Sequence, residues 1–270
     1  MQIRLLGTGG ADGIPGLYGN SRVSRYARKH RGKDIRTRAA AVVDGNLKID
    51  LGPDTWHQLA RDGLDARDWT ALIFTHSDDD HFAPRELQYA LFPFNDYDYV
   101  GFQIYANGVI CRKIMEEYPD WPFEVSMTRS FEPFSHSGYM ITPIKAKHKD
   151  DTDEDAHNLI FQNRDRTLLY ATDTGIWPDE TWDFLSTFAI DCLIIESSEG
   201  FNSTSYNGHL CVQETIQVVE RLRNMGVLHC ESRICTTHHS HQGEGTHAEL
   251  EAALNPHGIG VGYDGLVIDF

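Results

Sequence analysis

Residues 71–81 read Ala71-Leu72-Ile73-Phe74-Thr75-His76-Ser77-Asp78-Asp79-Asp80-His81, and this stretch decides the fold. Four consecutive apolar residues followed by polar ones form a short buried strand, since a helix needs a longer run. The next six positions hold five side chains that can bind a metal: His76, Asp78, Asp79, Asp80 and His81. Unpaired charge at the end of a buried strand is costly, so the cluster requires a compensating partner. Positions 76, 78 and 80 alternate and point one way, and His81 turns in beside them. That is the donor set of a divalent metal site and not of a solvated acidic loop.

The same pattern, an apolar strand with a ligand-type residue just past its end, recurs three times. His148 follows 141–146, Asp173 follows 168–170, and His238 follows 234–235. Four strand ends delivering His or Asp together imply a metal site at one edge of the fold. Other strand-like runs lie at 2–6, 39–43, 47–50, 103–105, 139–144, 158–161, 192–195 and 266–268. Val212, Ile216, Val219 and Leu222 line one face of a helix that ends near Met225 and Gly226. Weaker helices follow Pro53, Pro84, Gly108, Pro178 and Thr246. Each half of the chain runs strands first and helices late, which predicts an α/β sandwich of two sheets with helices outside. No repeat or linker interrupts the chain, so 1–270 reads as a single domain. Segment 93–121, rich in aromatics and acids, reads either as an elaboration on one edge or as a surface excursion.

At 270 residues, 40% hydrophobic, the chain is long and apolar enough to fold without a disulfide or metal staple. Its five cysteines are odd in number and form no C-x-x-C pair, as expected of reduced thiols in the cytoplasm. The first residues enter a strand directly, without the pattern of a signal peptide, and no apolar run approaches the ~20 residues of a membrane span. Twenty-four Lys and Arg against 40 Asp and Glu leave a net charge of −16, which disfavours nucleic acid as a partner. The expected partner is a small anionic substrate; a homodimer is left open.

Leu6-Gly7-Thr8-Gly9-Gly10, Ile49-Asp50-Leu51-Gly52, the 76–81 cluster, His148, Asp173 and His238, in that order, resemble the metallo-β-lactamase superfamily over nearly the whole chain. Residues 7–15, Thr237-His238-His239-Ser240-His241-Gln242 and Gly262-Tyr263-Asp264-Gly265 resemble its phosphodiesterase branch, especially the phosphoribosyl cyclic phosphate phosphodiesterases of carbon–phosphorus lyase pathways. The resemblance implies a four-layer αββα sandwich with two divalent metal ions at one edge. One ion would take His76, Asp78, His148 and Asp173; the other would take Asp80, His81, His238 and the bridging Asp173. It further implies a catalytic set of His209, Asp80 and Asp264, with His209 as a general acid and Asp264 orienting a ligand or the His209 region. Asp50 and His241 would support the ligands from behind.

The chain departs from the family pattern in three places. Asp78 stands where the family carries His. With a His, two divalent cations, two carboxylates and a bridging hydroxide leave one net positive charge; with Asp78 they leave none. That shifts preference from zinc toward harder ions such as manganese or iron. Residues 18–25 hold no Cys where the resembled enzymes carry a structural zinc cluster, which frees His241 for hydrogen bonding. The basic residues Arg22, Arg25, Arg28, Lys29, Arg31, Lys33, Arg36 and Arg38 read as a solvated loop, or as one that meets an anionic substrate. The acidic run 150–155 also reads as a solvated loop. The expected activity is hydrolysis of a small phosphodiester, cyclic or linear, by a metal-bridging hydroxide. Two alternatives are hydrolysis of a carbonyl ester such as a lactone or thioester, and a non-catalytic binding sandwich with a degraded metal site.

Overall fold

The computed structural model describes residues 1–95, 101–203 and 207–270. Two seven-stranded sheets form. The first has strands β1 (Gln2–Gly7), β2 (Ala40–Val43), β3 (Leu47–Ile49), β4 (Ala71–Ile73), β5 (Gln103–Ala106) and β6 (Glu124–Met127) in sequence order, with the C-terminal β14 (Val267–Asp269) paired to β1. The second runs in spatial order from β13 (Gly260–Val261) through β12 (Leu228–Thr237), β11 (Ile190–Glu196), β10 (Arg166–Ala171), β9 (His157–Asn163) and β8 (Tyr139–Lys145) to β7 (Phe134–His136).

Alternation along the strands builds three layers of core. Ile49, Ile73, Leu168, Tyr170, Cys192 and Ile194 pack between the two sheets. The intervening residues point outward, Leu72 and Phe74 on one side, Leu169, Leu193 and Ile195 on the other. This is the period of two that both faces of a doubly covered sheet require. Helix α3 (Gly108–Glu117) covers the first sheet through Ile110 and Ile114. Helices α5 (Val212–Asn224) and α6 (His247–Leu254) cover the second through Ile216, Val219, Leu250 and Leu254. The result is the αββα sandwich that the sequence predicts.

The structure chooses between the two readings of 93–121 and corrects that of the basic segment. Segment 93–121 is no surface excursion, because β5 and α3 within it belong to the first sheet and its helical cover; residues 96–100 lie outside the described residues. The basic segment is not a loop either. Ser21 caps helix α1 (Arg22–His30), which buries Val23 and Ala27. Arg36 is buried, donating to Thr8 Oγ1 at 2.8 Å and to the Gly262 carbonyl at 2.6 Å. Arg22 pairs with Glu244 and Glu249. Arg22 and Arg36 are thus spent on the fold.

Strand direction positions the site. β3, β4 and β5 are parallel, as are β10, β11 and β12, and β8 runs with β10 because each is antiparallel to β9. Their C-terminal ends release Asp50, residues 76–81, His148, Asp173, Glu196 and His238. Asp50, Asp173 and His238 take the left-handed conformation, with φ of 58°, 46° and 54°. Such residues cost about 1–3 kcal/mol each and persist where the surroundings fix them, typically at functional sites.

Candidate metal centre

The structure brings His76, Asp78, Asp80, His81, His148, Asp173 and His238 together. Ligand atoms of His76, Asp78 and His148 lie within 4.8 Å of one another, as do those of His76, His81 and Asp173, and those of Asp80, His81 and His238. Asp173 joins the groups: Oδ2 is 3.1 Å from His81 Nε2, while Oδ1 is 3.2 Å from His238 Nε2 and 3.9 Å from His76 Nε2.

All four imidazoles are held by Nδ1. His81 Nδ1 meets Asp50 Oδ2 at 2.7 Å, and His148 Nδ1 meets the Gly208 carbonyl at 3.2 Å. A carboxylate and a carbonyl only accept, so both nitrogens carry the proton. Ser198 Oγ donates to the His238 carbonyl and so accepts from His238 Nδ1 at 2.7 Å. Thr75 Oγ1 donates to Asp50 and receives His76 Nδ1 at 3.0 Å. Each Nε2 is therefore turned toward the carboxylates, and in the neutral ring it offers them a lone pair that a cation can take.

That arrangement calls for cations. His81 Nε2 and His238 Nε2 face each other at 3.4 Å. His76 Nε2 is buried with no hydrogen-bond partner among the described residues, and buried Asp80 Oδ2 has only His81 Nε2 at 3.1 Å and His238 Nε2 at 3.5 Å beside it. Burial lowers the pKa of His81, yet Asp173, Asp80 and Asp50 more than reverse this and raise it well above the usual imidazole value. A divalent pair would satisfy every one of these atoms, so the residues fit the metal the resemblance implies.

Asp78 is the most exposed member. Oδ2 is 3.3 Å from His148 Nε2 and 3.5 Å from His76 Nε2, and Oδ1 pairs with the Lys149 ammonium. Contacts with His148, then His76 and Lys149, hold its carboxyl well below the usual carboxylate range. A cavity of about 500 Å³ opens beside it, lined by Arg38, Asp78, Asp79, Asp80, Lys113 and Lys149 among others. A larger apolar hollow of about 700 Å³, near Trp56 and Trp69, contains none of the cluster residues.

His209 stands over the centre, its ring 5.1 Å from that of His148 and 5.5 Å from that of His238. Its Nδ1 donates to Glu196 Oε1 at 2.8 Å. Glu196 is fully buried and also accepts from the backbone N–H groups of Thr174, Ser198 and Leu210. Burial would lower the pKa of His209, but Glu196 raises it to about 10. Glu196 is absent from the sequence-based candidates, although it follows the apolar run 192–195 as the other site residues follow theirs. Ser198 and Lys149 are likewise additions from the structure.

Asp264 is placed elsewhere. Its two oxygens accept from the N–H and hydroxyl of both Thr8 and Thr37 and pair with Arg61 at 3.0 Å. It ties β1 to helix α2 (Thr55–Asp62) and the chain before β2, and does not reach for His209. His241 bonds Ser21 and Asp12. The acidic run divides: Glu154 accepts from Ser77 and Asn107, and Asp155 accepts from Ser130, so these two are structural and not merely solvated.

Residues 46–239 match the family model described as the β-lactamase superfamily domain. The chain belongs to the metallo-β-lactamase superfamily. Solved structures of the superfamily fold align along its whole length. A diphosphatase from the PhnP family matches at TM-score 0.77 and 23% identity, covering 100% of this chain and 97% of its own. Zn(2+)-bound PqqB from Methylobacterium extorquens matches at 0.77 and 15%, covering 100% of both chains. The short form of human tRNase Z matches at 0.66 and 17%, covering 100% of this chain and 99% of its own. No curated protein matched in sequence. Among the described residues, no helix is long and apolar enough to cross a membrane.

Proposed function

We propose that the chain is a metal-dependent hydrolase that uses two divalent ions to cleave a small anionic phosphodiester or diphosphate. One observation carries this reading: four imidazoles are fixed at Nδ1 and turn their Nε2 atoms onto three carboxylates, with Asp173 facing both groups. When bound, the ions would supply an acidified water and neutralise charge on the phosphoryl oxygens. Asp50, Thr75 and Ser198 hold the rings in place. His209, its Nδ1 committed to Glu196, keeps a proton to give to the departing oxygen. The phosphorus–oxygen chemistry named for the diphosphatase neighbour supports this reading. A net charge of −16 and a cavity of about 500 Å³ favour a small substrate over a nucleic acid.

The test is turnover of bis(p-nitrophenyl) phosphate by protein stripped of metal and reloaded with Zn²⁺ or Mn²⁺. Wild type should bind two equivalents and turn over. Asp173→Ala should lose both ions and about 100-fold or more in rate, because one carboxylate serves both. Wild type that binds no ion, or binds two and hydrolyses no phosphodiester or diphosphate, would overturn the reading.

A further inference from the structure

Asp78 makes the cluster more anionic than a histidine at that position would, and on charge alone it predicts a neutral centre biased to hard ions. The structure adds a group that this reckoning omits. Lys149, the residue after His148, takes the left-handed conformation, φ 63°, and its ammonium pairs with Asp78 Oδ1. The side chain is 22% exposed although the neighbouring run 150–155 offers it other carboxylates. Lys147, two residues earlier, takes one of these, Asp150. The other oxygen of Asp78, Oδ2, is the one that faces His148 and His76.

We propose that Asp78 and Lys149 form one unit: Asp78 gives a single oxygen to the cation cluster, Lys149 holds the other, and the pair presents the net charge of a neutral imidazole. Lys149 is then a positioning residue that sets metal preference. It keeps Asp78 from closing both oxygens on an ion, a mode that suits larger, oxygen-seeking cations. It also returns the positive charge that the aspartate removes. The proposal rests on the metal-dependent reading above and deepens it by naming what selects the ion.

The test measures dissociation constants for Zn²⁺ and Mn²⁺ on metal-free protein, by competition with a chelator of known affinity. It compares wild type, Lys149→Met, which removes the charge at similar length, and Lys149→Arg, which keeps it. Lys149→Met should bind Mn²⁺ about tenfold more tightly or better at the weaker site, with a smaller gain for Zn²⁺, since a nearby positive charge has gone. Lys149→Arg should stay within about threefold of wild type. Circular dichroism of the metal-free proteins checks that all three fold alike, and a variant that does not is replaced by Lys149→Gln. An unchanged ratio of Zn²⁺ to Mn²⁺ affinity in the uncharged variant, with wild type still binding two ions, overturns the proposal and leaves the hydrolase reading standing. Wild type that binds no ion overturns both.

Discussion

Oδ2 of Asp50 lies 2.7 Å from Nδ1 of His81, and both side chains are completely buried. The same carboxylate accepts from the N–H and hydroxyl of Thr75, so one residue at the end of β3 aims two imidazoles, His81 directly and His76 through Thr75. Asp50→Asn keeps the shape but replaces one accepting oxygen with a donor that opposes His81 Nδ1–H. Partners of this kind typically govern 10–100-fold in metal affinity. Metal content after dialysis against a weak chelator should fall accordingly while the circular dichroism spectrum is kept. Full retention of both ions would show that Asp50 is only a structural bond.

Asp264 makes an opposite prediction. Its contacts close β1 onto α2, and the N–H of fully buried Thr8 has its carboxylate as acceptor. Asp264→Ala leaves buried donors unpaired, at a cost of roughly 3 kcal/mol. Urea denaturation should show that loss, and kcat of the folded fraction should remain within about threefold of wild type. A 100-fold loss of kcat with unchanged stability would restore it to the catalytic set.

Lys48 gives a pH signature that is independent of metal. It is fully buried in β3, and its Nζ donates to the carbonyls of Ile49 and Asp50. Burial lowers its pKa and Asp50 raises it, leaving it at about 7. Below pH 7 the lysine is protonated in both folded and unfolded chains, and the full penalty of burying the charge applies. Between pH 7 and the ordinary lysine value near 10.4, the unfolded chain holds the proton that the folded one has released, so stability rises with pH by up to about 1.4 kcal/mol per unit. Other groups titrate in that window, so the measured quantity is the difference between wild type and Lys48→Met. Relative to the variant, wild type should gain stability from pH 7 to 10; a constant difference would refute the shift.

The cluster at 76–81 was legible because a buried strand cannot end in five donors without a purpose, and the later residues that converge on it because each repeats that context. Position alone hid the rest. Glu196 ends an apolar strand just as Asp173 and His238 end theirs, but a single carboxylate there is as readily a solvated cap. Lys149 lies in a run of acids where a lysine excites no notice, and only the left-handed turn after His148 brings it to Asp78. Asp264 erred the other way: Gly262-Tyr263-Asp264-Gly265 resembles a site motif, whereas its contacts are those of a brace. Arg36 shows the same limit, since a charge run in sequence does not reveal which member is buried.

The proton-donor role proposed for His209 would separate substrates by their leaving groups. Nδ1 is given to Glu196, and the ring stands beside both His148 and His238, where an oxygen departing from the centre would lie. A p-nitrophenolate departs without help, while an alkoxide needs a proton as the bond breaks. His209→Asn should therefore cost less than about tenfold in kcat on an aryl phosphodiester and about 100-fold or more on an alkyl one. Glu196→Gln should move the same ratio in the same direction, because it weakens the hold on the ring without removing the imidazole. Metal content of His209→Asn, measured in parallel, should stay at the wild-type level. Equal losses on both substrates would make His209 a binding group for the phosphoryl oxygens, and loss of an ion would make it a ligand.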